Sequence, residues 1–379
     1  MGLITYPPNK HETDSKSIFF VGSATETCRI NDQRVELADN GNFAYIVSLK
    51  LGNNQFDIDL DGESIEYTIV GVKPDEPHPI AYGRIYDSFP AKQPSKKNIL
   101  RSILVSENRI EIPLNRAPMY SLERLGKYKY FLDLPDTDMD LDCIHYQTQS
   151  SPIIIGEVIR SNVPIIFKKP VTSIHEKWEN NSLVFEIEYY QQDFAVCIDP
   201  GHGGDQCGSR SPKGIWEKEL NLSFSQLLKE ELINLNISTV MTRDNDEFIS
   251  LEQRVDTAQK DDSLLFLSIH HNALPDARDP NLERGASCHY FHEQSKPFAN
   301  YLLNKVVEHT ELTYSGLFRQ NLHVLRENPD RISVLLELGY LIHPIESDLI
   351  TSADFQAKTA RIVAKAIKNF FLNEYPTKD

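Results

Sequence analysis

Hydrophobic and polar residues follow two different patterns along this chain, and the pattern changes near Phe194. Before Phe194, short runs alternate apolar and polar residues between turn-forming Asn-Gly and Asp-Gly pairs, which predicts β-strands. After Phe194, continuous apolar runs alternate with stretches in which leucine and phenylalanine recur at helical spacing. The first half is therefore expected to be β-rich, and the second half to be an α/β domain.

The β-rich half divides at a stretch that is rich in proline. Residues 1–16 are predicted to be an N-terminal tail, and residues 17–72 a small antiparallel β-sandwich of the immunoglobulin-like kind. The stretch Lys73–Pro79 is expected to be a linker, because closely spaced prolines favour extended backbone. Residues 80–190 are predicted to form a second β-rich accessory domain, and no motif in it indicates chemistry.

Residues 193–375 are predicted to be the catalytic α/β domain, a mixed sheet covered by helices on both faces. The expected strands are Phe194–Asp199, Ile237–Thr242, Leu264–Ile269, Ala286–His292 and Ser333–Leu338, and the expected helices are Leu220–Leu235, Leu251–Ala258, Lys296–Glu308 and Ser352–Leu372.

Charge and composition exclude several classes of function. A net charge of −16 argues against binding nucleic acid or an anionic membrane through a general basic field. No segment has the roughly 18 unbroken apolar residues of a membrane span, and Met1–Lys16 lacks the pattern of a signal peptide. The five cysteines are scattered without a Cys-x-x-Cys pair, so neither a thiolate zinc cage nor a dense disulfide framework is indicated.

Four polar residues stand at the edges of predicted elements in the α/β domain. His202 lies in the glycine-rich loop after the first strand, and His270 and Glu337 end two later strands. Glu219 stands at the entry to the first helix. Because sites in open α/β sheets gather at the carboxyl ends of the strands, these side chains can converge on one edge. Together they could form a zinc site with two nitrogen ligands, one carboxylate ligand and a separate base.

Each of these residues also has a structural interpretation. A loop histidine, an acidic residue in the first turn of a helix and a surface charge at a strand end are all common. Their joint placement favours a site, because a charge that follows an apolar strand is costly to bury without a partner. His271 directly follows His270, so its ring is expected on the opposite face, in a structural or supporting role.

The motifs of the second half, over Phe194–Phe371, resemble those of the zinc-dependent N-acetylmuramoyl-L-alanine amidases of the amidase type 3 family, which are cell-wall hydrolases. The resemblance implies that His202, Glu219 and His270 bind Zn²⁺ and that Glu337 is catalytic. The motifs are Ile198–Gly204, Glu217–Leu222, Met241–Arg243, Ser268–Ala273 and Val334–Tyr340.

The resemblance implies hydrolysis of the amide between the lactyl group of N-acetylmuramic acid and L-alanine in peptidoglycan and muropeptides. Such a substrate places the protein in the periplasm or cell envelope, although no export signal is visible in the sequence. Two other functions stay open: a zinc hydrolase of a different amide or peptide bond, and an inactive wall-binding or adaptor protein. The intact set of two histidines and two glutamates speaks against the inactive protein, and the oligomeric state is left open.

Some relatives in that family carry a long helix, inserted after the strand of the second zinc histidine, that blocks the site. The corresponding segment here, Ala273–Gly285, contains Pro275 and Pro280, which disfavour a continuous helix. The sequence therefore predicts an open loop at this position.

Overall fold

The computed structural model describes residues 2–73, 97–125, 128–139, 145–146, 151–156, 158, 162–169, 171–189, 194–261, 263–329 and 331–372. These residues form two β domains followed by an α/β domain, and each domain has a hydrophobic core. The predicted linker lies outside the described residues except for Lys73. No helix within the described ranges has the length and apolar character needed to cross a membrane.

The first β domain is a sandwich of two sheets. Its strands are β1 (Leu3–Tyr6), β2 (His11–Thr13), β3 (Ser17–Ser23), β4 (Cys28–Ile30), β5 (Gln33–Val35), β6 (Asn42–Ser48), β7 (Gly52–Leu60) and β8 (Glu63–Gly71). One sheet has the order β1-β3-β6 and the other the order β2-β8-β7-β4-β5. Apolar residues from both sheets, such as Phe20 and Ile58, share one core between them.

The prediction that residues 1–16 are a tail is wrong. Leu3 in β1 pairs with Ser23, and His11 in β2 pairs in parallel with Ile69, so the start of the chain contributes one strand to each sheet. Pro7 and Pro8 stand between the two strands and keep each of them short. Strands of three or four residues are too short to show a clear alternating pattern, which is why the sequence did not reveal them.

The second β domain also has two main sheets around one core. Its strands are β9 (Asn98–Leu100), β10 (Ser102–Val105), β11 (Arg109–Pro113), β12 (Ser121–Arg124), β13 (Lys129–Asp133), β14 (Thr137–Met139), β15 (His145–Tyr146), β16 (Ile153–Ile155), β17 (Asn162–Phe167), β18 (Val171–Glu179) and β19 (Ser182–Tyr189). The sheets have the orders β15-β10-β11-β19-β18 and β12-β13-β17-β16, and β14 pairs with β9. This arrangement agrees with the prediction of a second β-rich domain.

The α/β domain contains one six-stranded sheet. Its elements are β20 (Ala195–Pro200), α1 (Glu217–Asn234), β21 (Ser238–Met241), α2 (Leu251–Lys260), β22 (Leu265–Asn272), β23 (Ala286–Tyr290), α3 (Lys296–His309), β24 (Tyr314–Arg319), α4 (His323–Arg326), β25 (Ile332–Tyr340), α5 (Glu346–Thr351) and α6 (Ala353–Leu372). The strand order is β21-β20-β22-β25-β23-β24, and only the β25–β23 pairing is antiparallel.

Successive residues of the central strands enter two separate cores, as the alternation of side chains along a strand requires. Val196 and Ile198 pack on the side of α1, α3 and α6, whereas Cys197 packs on the side of α2 and α4. Strand β22 repeats this division, with Leu267 on the first side and Phe266 on the second. The sheet is therefore mixed and covered by helices on both faces, which confirms the predicted fold class.

The second β domain packs directly on the α/β domain. Ile154 and Ile166 join the core that contains Phe194, and their strand neighbours Ile155 and Ile165 join the core of their own domain. The sheet of β12, β13, β16 and β17 thus has apolar contacts on both of its faces.

The first β domain contacts the segment that follows β22, which we call the 273–285 loop. The Tyr6 hydroxyl donates a hydrogen bond to Asp276, and the Asn281 side chain donates to the carbonyl of Ala44. Leu274 packs in a small apolar cluster of Phe19, Val21, Ala44 and Ile342. The described loop contains no helix, which confirms the predicted open loop, and the first β domain holds it in place.

Candidate active site

His202 stands in the loop after β20 in a conformation that is unusual for a side-chain-bearing residue. Its φ of 62° lies in the left-handed region. Two buried arginines hold this loop through its carbonyl groups: Arg254 donates to the carbonyl of His202 at 2.8 Å, and Arg243 donates to that of Gly201 at 2.9 Å. The hydrogen bonds offset the local strain and direct the imidazole toward helix α1.

His270 lies near the carboxyl end of β22, with its imidazole against the backbone of Gly201. A Cβ atom at Gly201 would lie 2.2 Å from the His270 ring, so only glycine leaves room for the ring there. The two imidazole rings of His202 and His270 meet edge to face, with centroids 4.9 Å apart.

Glu217, the first residue of α1, joins these two histidines. Its Oε1 lies 3.0 Å from Nε2 of His202 and 3.0 Å from Nδ1 of His270. Its Oε2 accepts hydrogen bonds from the backbone and side chain of Ser209 at 2.9 and 3.0 Å. One ligand atom from each of the three residues lies within 4.8 Å of the others, so they could hold a metal ion.

The Glu217 carboxylate is buried, and burial by itself acts to raise its pKa. The hydrogen bonds with His202 and His270 outweigh burial and hold the pKa of Glu217 well below its ordinary value. The site therefore presents an ionised carboxylate beside two imidazoles.

The structure corrects the assignment of Glu219 as the carboxylate ligand. Glu219 is exposed, and its Oε2 accepts a hydrogen bond from the backbone N–H of Trp216 at 3.1 Å, so it caps the start of α1. An α-helix turns about 100° per residue, so residues two apart point to nearly opposite sides. Glu217 faces the histidines and Glu219 faces solvent.

Helical phase is the signal that would have identified Glu217 in the sequence. Glu217 shares the buried face of α1 with Leu220, Phe224 and Leu228, at spacings of three, seven and eleven residues. Glu219 does not lie on this face.

Glu337 lies on β25, beside the strand of His270. Glu337 and His270 are directly paired in the ladder between β22 and β25. The Oε2 atom of Glu337 is buried and has no hydrogen-bond partner among the described residues. Burial, and then the charge of Glu217, raise the pKa of Glu337 well above its ordinary value.

Asn221 and His271 support this site, and the sequence did not single out Asn221. Asn221 donates to the carbonyl of Gly201 at 3.2 Å, and its Oδ1 lies 2.8 Å from Nδ1 of His271. Burial lowers the pKa of His271 to about 3, so its imidazole is neutral. These contacts tie α1 to β20 and β22, which fixes the position of Glu217 relative to the histidines.

The donor atoms of this cluster fit a zinc ion. Two histidine nitrogens and one carboxylate oxygen are a ligand set of catalytic zinc sites, which leave a further position open. The cluster is at the carboxyl ends of parallel strands, where ligands of open α/β sheets bind. Fold and side chains thus define an α/β domain with a candidate metal centre and an adjacent carboxylate.

Comparison with known proteins agrees with this class. Residues 196–369 match the family model described as N-acetylmuramoyl-L-alanine amidase. Over these residues the α/β domain is similar to the N-acetylmuramoyl-L-alanine amidase family.

Individual relatives each match part of the chain. The probable cell wall amidase LytH of Staphylococcus epidermidis is 32% identical over 178 residues, which are 46% of this chain and 58% of LytH. The N-acetylmuramoyl-L-alanine amidase AmiC of Neisseria meningitidis is 28% identical over 217 residues, with 46% of this chain and 52% of AmiC covered. The chain thus spans little more than half the length of these relatives.

A solved structure also aligns with part of the chain. The catalytic domain of CwlV, an N-acetylmuramoyl-L-alanine amidase from Bacillus (Paenibacillus) polymyxa, is 31% identical, with 47% of this chain and 97% of that domain covered and a TM-score of 0.44.

Proposed function

We propose that this protein hydrolyses the amide bond between the lactyl group of N-acetylmuramic acid and L-alanine in peptidoglycan, with Zn²⁺ as cofactor. The observation that carries the proposal is the convergence of His202, Glu217 and His270 beside Glu337, within a domain that matches the amidase family.

The residues of the site have separate roles in the proposed reaction. His202, Glu217 and His270 would hold the zinc ion, and the buried arginines would keep the His202 loop in the binding conformation. A zinc ion in such a site supplies Lewis-acid chemistry, which polarises a carbonyl and lowers the pKa of water.

Glu337 is proposed as the group that moves the proton. Its carboxylate accepts a proton as water attacks the amide carbonyl, and then returns that proton to the leaving nitrogen of L-alanine. A raised pKa suits this role, because it makes the Glu337 carboxylate a stronger proton acceptor than an ordinary glutamate.

Digestion of purified peptidoglycan followed by mass spectrometry tests the proposed bond. We expect products with a free N-terminal L-alanine and an intact lactyl group on the sugar. Products cut within the peptide would instead indicate an endopeptidase and would contradict the proposal.

The Glu337→Gln variant tests the proposed base in the same assay. We expect it to keep zinc but to lose about a hundredfold or more of the activity, the scale of general acid–base contributions. Glu327→Gln, at an exposed position before β25, provides a matched control that should keep full activity. Near-normal activity of Glu337→Gln would show that another group is the base.

The second function to test is that of an inactive protein that binds the cell wall. Such a protein would sediment with insoluble peptidoglycan but release no dye from labelled material, whereas the proposed amidase releases dye. Because peptidoglycan lies outside the cytoplasm, we propose the cell envelope as the place of action.

A further inference from the structure

A cavity of about 360 Å³ lies between the first β domain and the α/β domain. This volume falls within the usual range of clefts that bind small ligands. Residues 36–38 and 42–43 of the first β domain form one wall, and residues 281, 282, 284 and 343–345 of the α/β domain form the other. Neither domain forms this cavity alone.

The cavity is joined to the strands that carry the candidate site. The 273–285 loop follows β22, the strand of His270, and His343 lies six residues after Glu337 on the segment that follows β25. The buried Glu346 carboxylate accepts hydrogen bonds from the backbone N–H groups of Gly285 and Tyr340, at 2.9 and 2.7 Å. The α/β wall is thus fixed to the same edge of the sheet as the site.

Two polar side chains in the cavity wall have groups without a hydrogen-bond partner among the described residues. The exposed Arg284 guanidinium lines the cavity and forms no hydrogen bond or salt bridge within the described residues, while its charge interacts at longer range with the buried Glu346 carboxylate. The fully buried Asn42 uses its amide nitrogen to donate to the carbonyl of Pro344 at 2.8 Å. Its Oδ1 has no hydrogen-bond partner among the described residues.

Apolar side chains complete the cavity. Leu282 is 79% exposed and Ile345 is 61% exposed, which is unusual for two large apolar residues that line one opening. A cation, an unpaired acceptor and apolar surface together match a peptide, which offers a carboxylate, an amide N–H and small apolar side chains.

We propose that this cavity binds the peptide stem of the substrate, with Arg284 on a stem carboxylate. This inference rests on the proposed amidase function, because it takes the peptide stem of that substrate as the ligand. The first β domain then forms part of the substrate-binding surface, and its contribution is to select stems that carry a free carboxylate.

Binding of the stem peptide to the full, zinc-loaded protein tests this assignment. The probe is the free peptide that begins with L-alanine and has free carboxylates, measured by isothermal titration calorimetry beside the same peptide with amidated carboxylates. We expect Arg284→Ala to weaken binding of the free acid about tenfold, the scale of one hydrogen bond to a charged group. Arg284→Lys should recover part of this affinity, because it restores the charge without the planar guanidinium.

Arg278→Ala is the matched control, because Arg278 is exposed on the same loop, pairs with Glu283 and does not line the cavity. It should bind the peptide as the unaltered protein does. Arg284→Ala should also bind the amidated peptide unchanged. Equal affinity of Arg284→Ala and Arg278→Ala for the free acid would overturn the assignment.

Hydrolysis of soluble muropeptides separates this inference from the proposed function. We expect Arg284→Ala to raise KM about tenfold and to leave kcat nearly unchanged. If the unaltered protein cleaves muropeptides and Arg284→Ala has an unchanged KM, the cavity assignment fails and the amidase function stands. If the unaltered protein binds the peptide through Arg284 but cleaves nothing, the amidase function fails instead.

Discussion

The position of Glu217 in helix α1 decides which carboxylate of that helix lies beside the two histidines. Glu217 is the first residue of α1, so its backbone lies at the positive end of the helix dipole, where a negative charge is stabilised. Both of its oxygens have partners: the two histidines share one and Ser209 binds the other. A carboxylate held this firmly keeps the same orientation whether it contacts imidazoles or a metal ion.

Glu217→Gln and Glu219→Gln make a matched pair of changes two residues apart. We expect Glu217→Gln to lose zinc and activity together, because an amide carries no charge and is a poor ligand for zinc. Glu219→Gln should keep both, because the amide oxygen can still accept the hydrogen bond from Trp216. The measurement is zinc content by atomic emission after dialysis, together with dye release.

The opposite pattern, with zinc lost only from Glu219→Gln, would restore the assignment made from the sequence. Retention of zinc by both variants would show that the carboxylate ligand lies elsewhere.

His202, His270 and Glu337 stood out in the sequence because each lies in a glycine-rich loop after an apolar strand or near the end of such a strand. The carboxylate ligand was harder to identify from the sequence, because Glu217 and Glu219 both stand in the first turn of the same helix. Only the phase of the buried face separates them, and that phase depends on where the helix begins. Asn221 was missed because its role depends on contacts to β20 and β22 that are distant in sequence.

At the scale of elements, a buried ion pair links β20 to α2 and stabilises the backbone that carries the site. Asp199 on β20 is 1% exposed and Arg254 on α2 is 3% exposed, and their side chains are 2.6 Å apart. Although burial acts to raise it, the charge of Arg254 holds the pKa of Asp199 below its ordinary value. Arg254 also donates to the carbonyl of Pro200, so one side chain joins strand, loop and helix.

Arg254→Ala is expected to lower the free energy of unfolding by about 3–5 kcal/mol, because it leaves the buried Asp199 charge without its partner. It should also weaken zinc binding, because the His202 loop loses a donor to its carbonyl. Arg361→Ala removes an exposed ion pair with Glu231 and should cost about 1 kcal/mol or less. Chemical unfolding of the three proteins measures the difference, and equal stabilities would contradict a structural role for Arg254.

The main strands and helices of the α/β domain were predictable because their apolar runs are long. The short elements β24, α4 and α5 were not, because four to six residues show too little periodicity. In the first β domain, β7 and β8 each begin with mostly exposed residues, so only their pairing in the sheet shows that these residues are in strands.

At the scale of the whole molecule, the first β domain acts on the 273–285 loop. Tyr6 donates to Asp276, and Nε2 of His11 lies 3.3 Å from the same carboxylate. Burial, and then the Asp276 carboxylate, raise the pKa of Tyr6, so the hydroxyl keeps the proton that it donates. A loop that would otherwise be free at the edge of the site is thereby held by a separate domain.

Tyr6→Phe should release this loop and increase the rate of trypsin cleavage after the exposed Arg278 by about tenfold, the scale of one hydrogen bond to a charged group. Tyr67→Phe is the control, because Tyr67 packs against Phe20 within the same domain. Mass spectrometry of the first cleavage products gives the rates. Identical rates for the two variants would show that the Tyr6 hydroxyl does not hold the loop.

Packing on both faces of the sheet of β12, β13, β16 and β17 limits how this domain arrangement can evolve. With Ile154 and Ile166 in one core and Ile155 and Ile165 in another, a substitution on either face alters the packing of two domains at once. Recombination that moved the α/β domain into another protein without this sheet would expose the apolar surface of its helices to water. Selection should therefore keep these two domains together as one inherited unit.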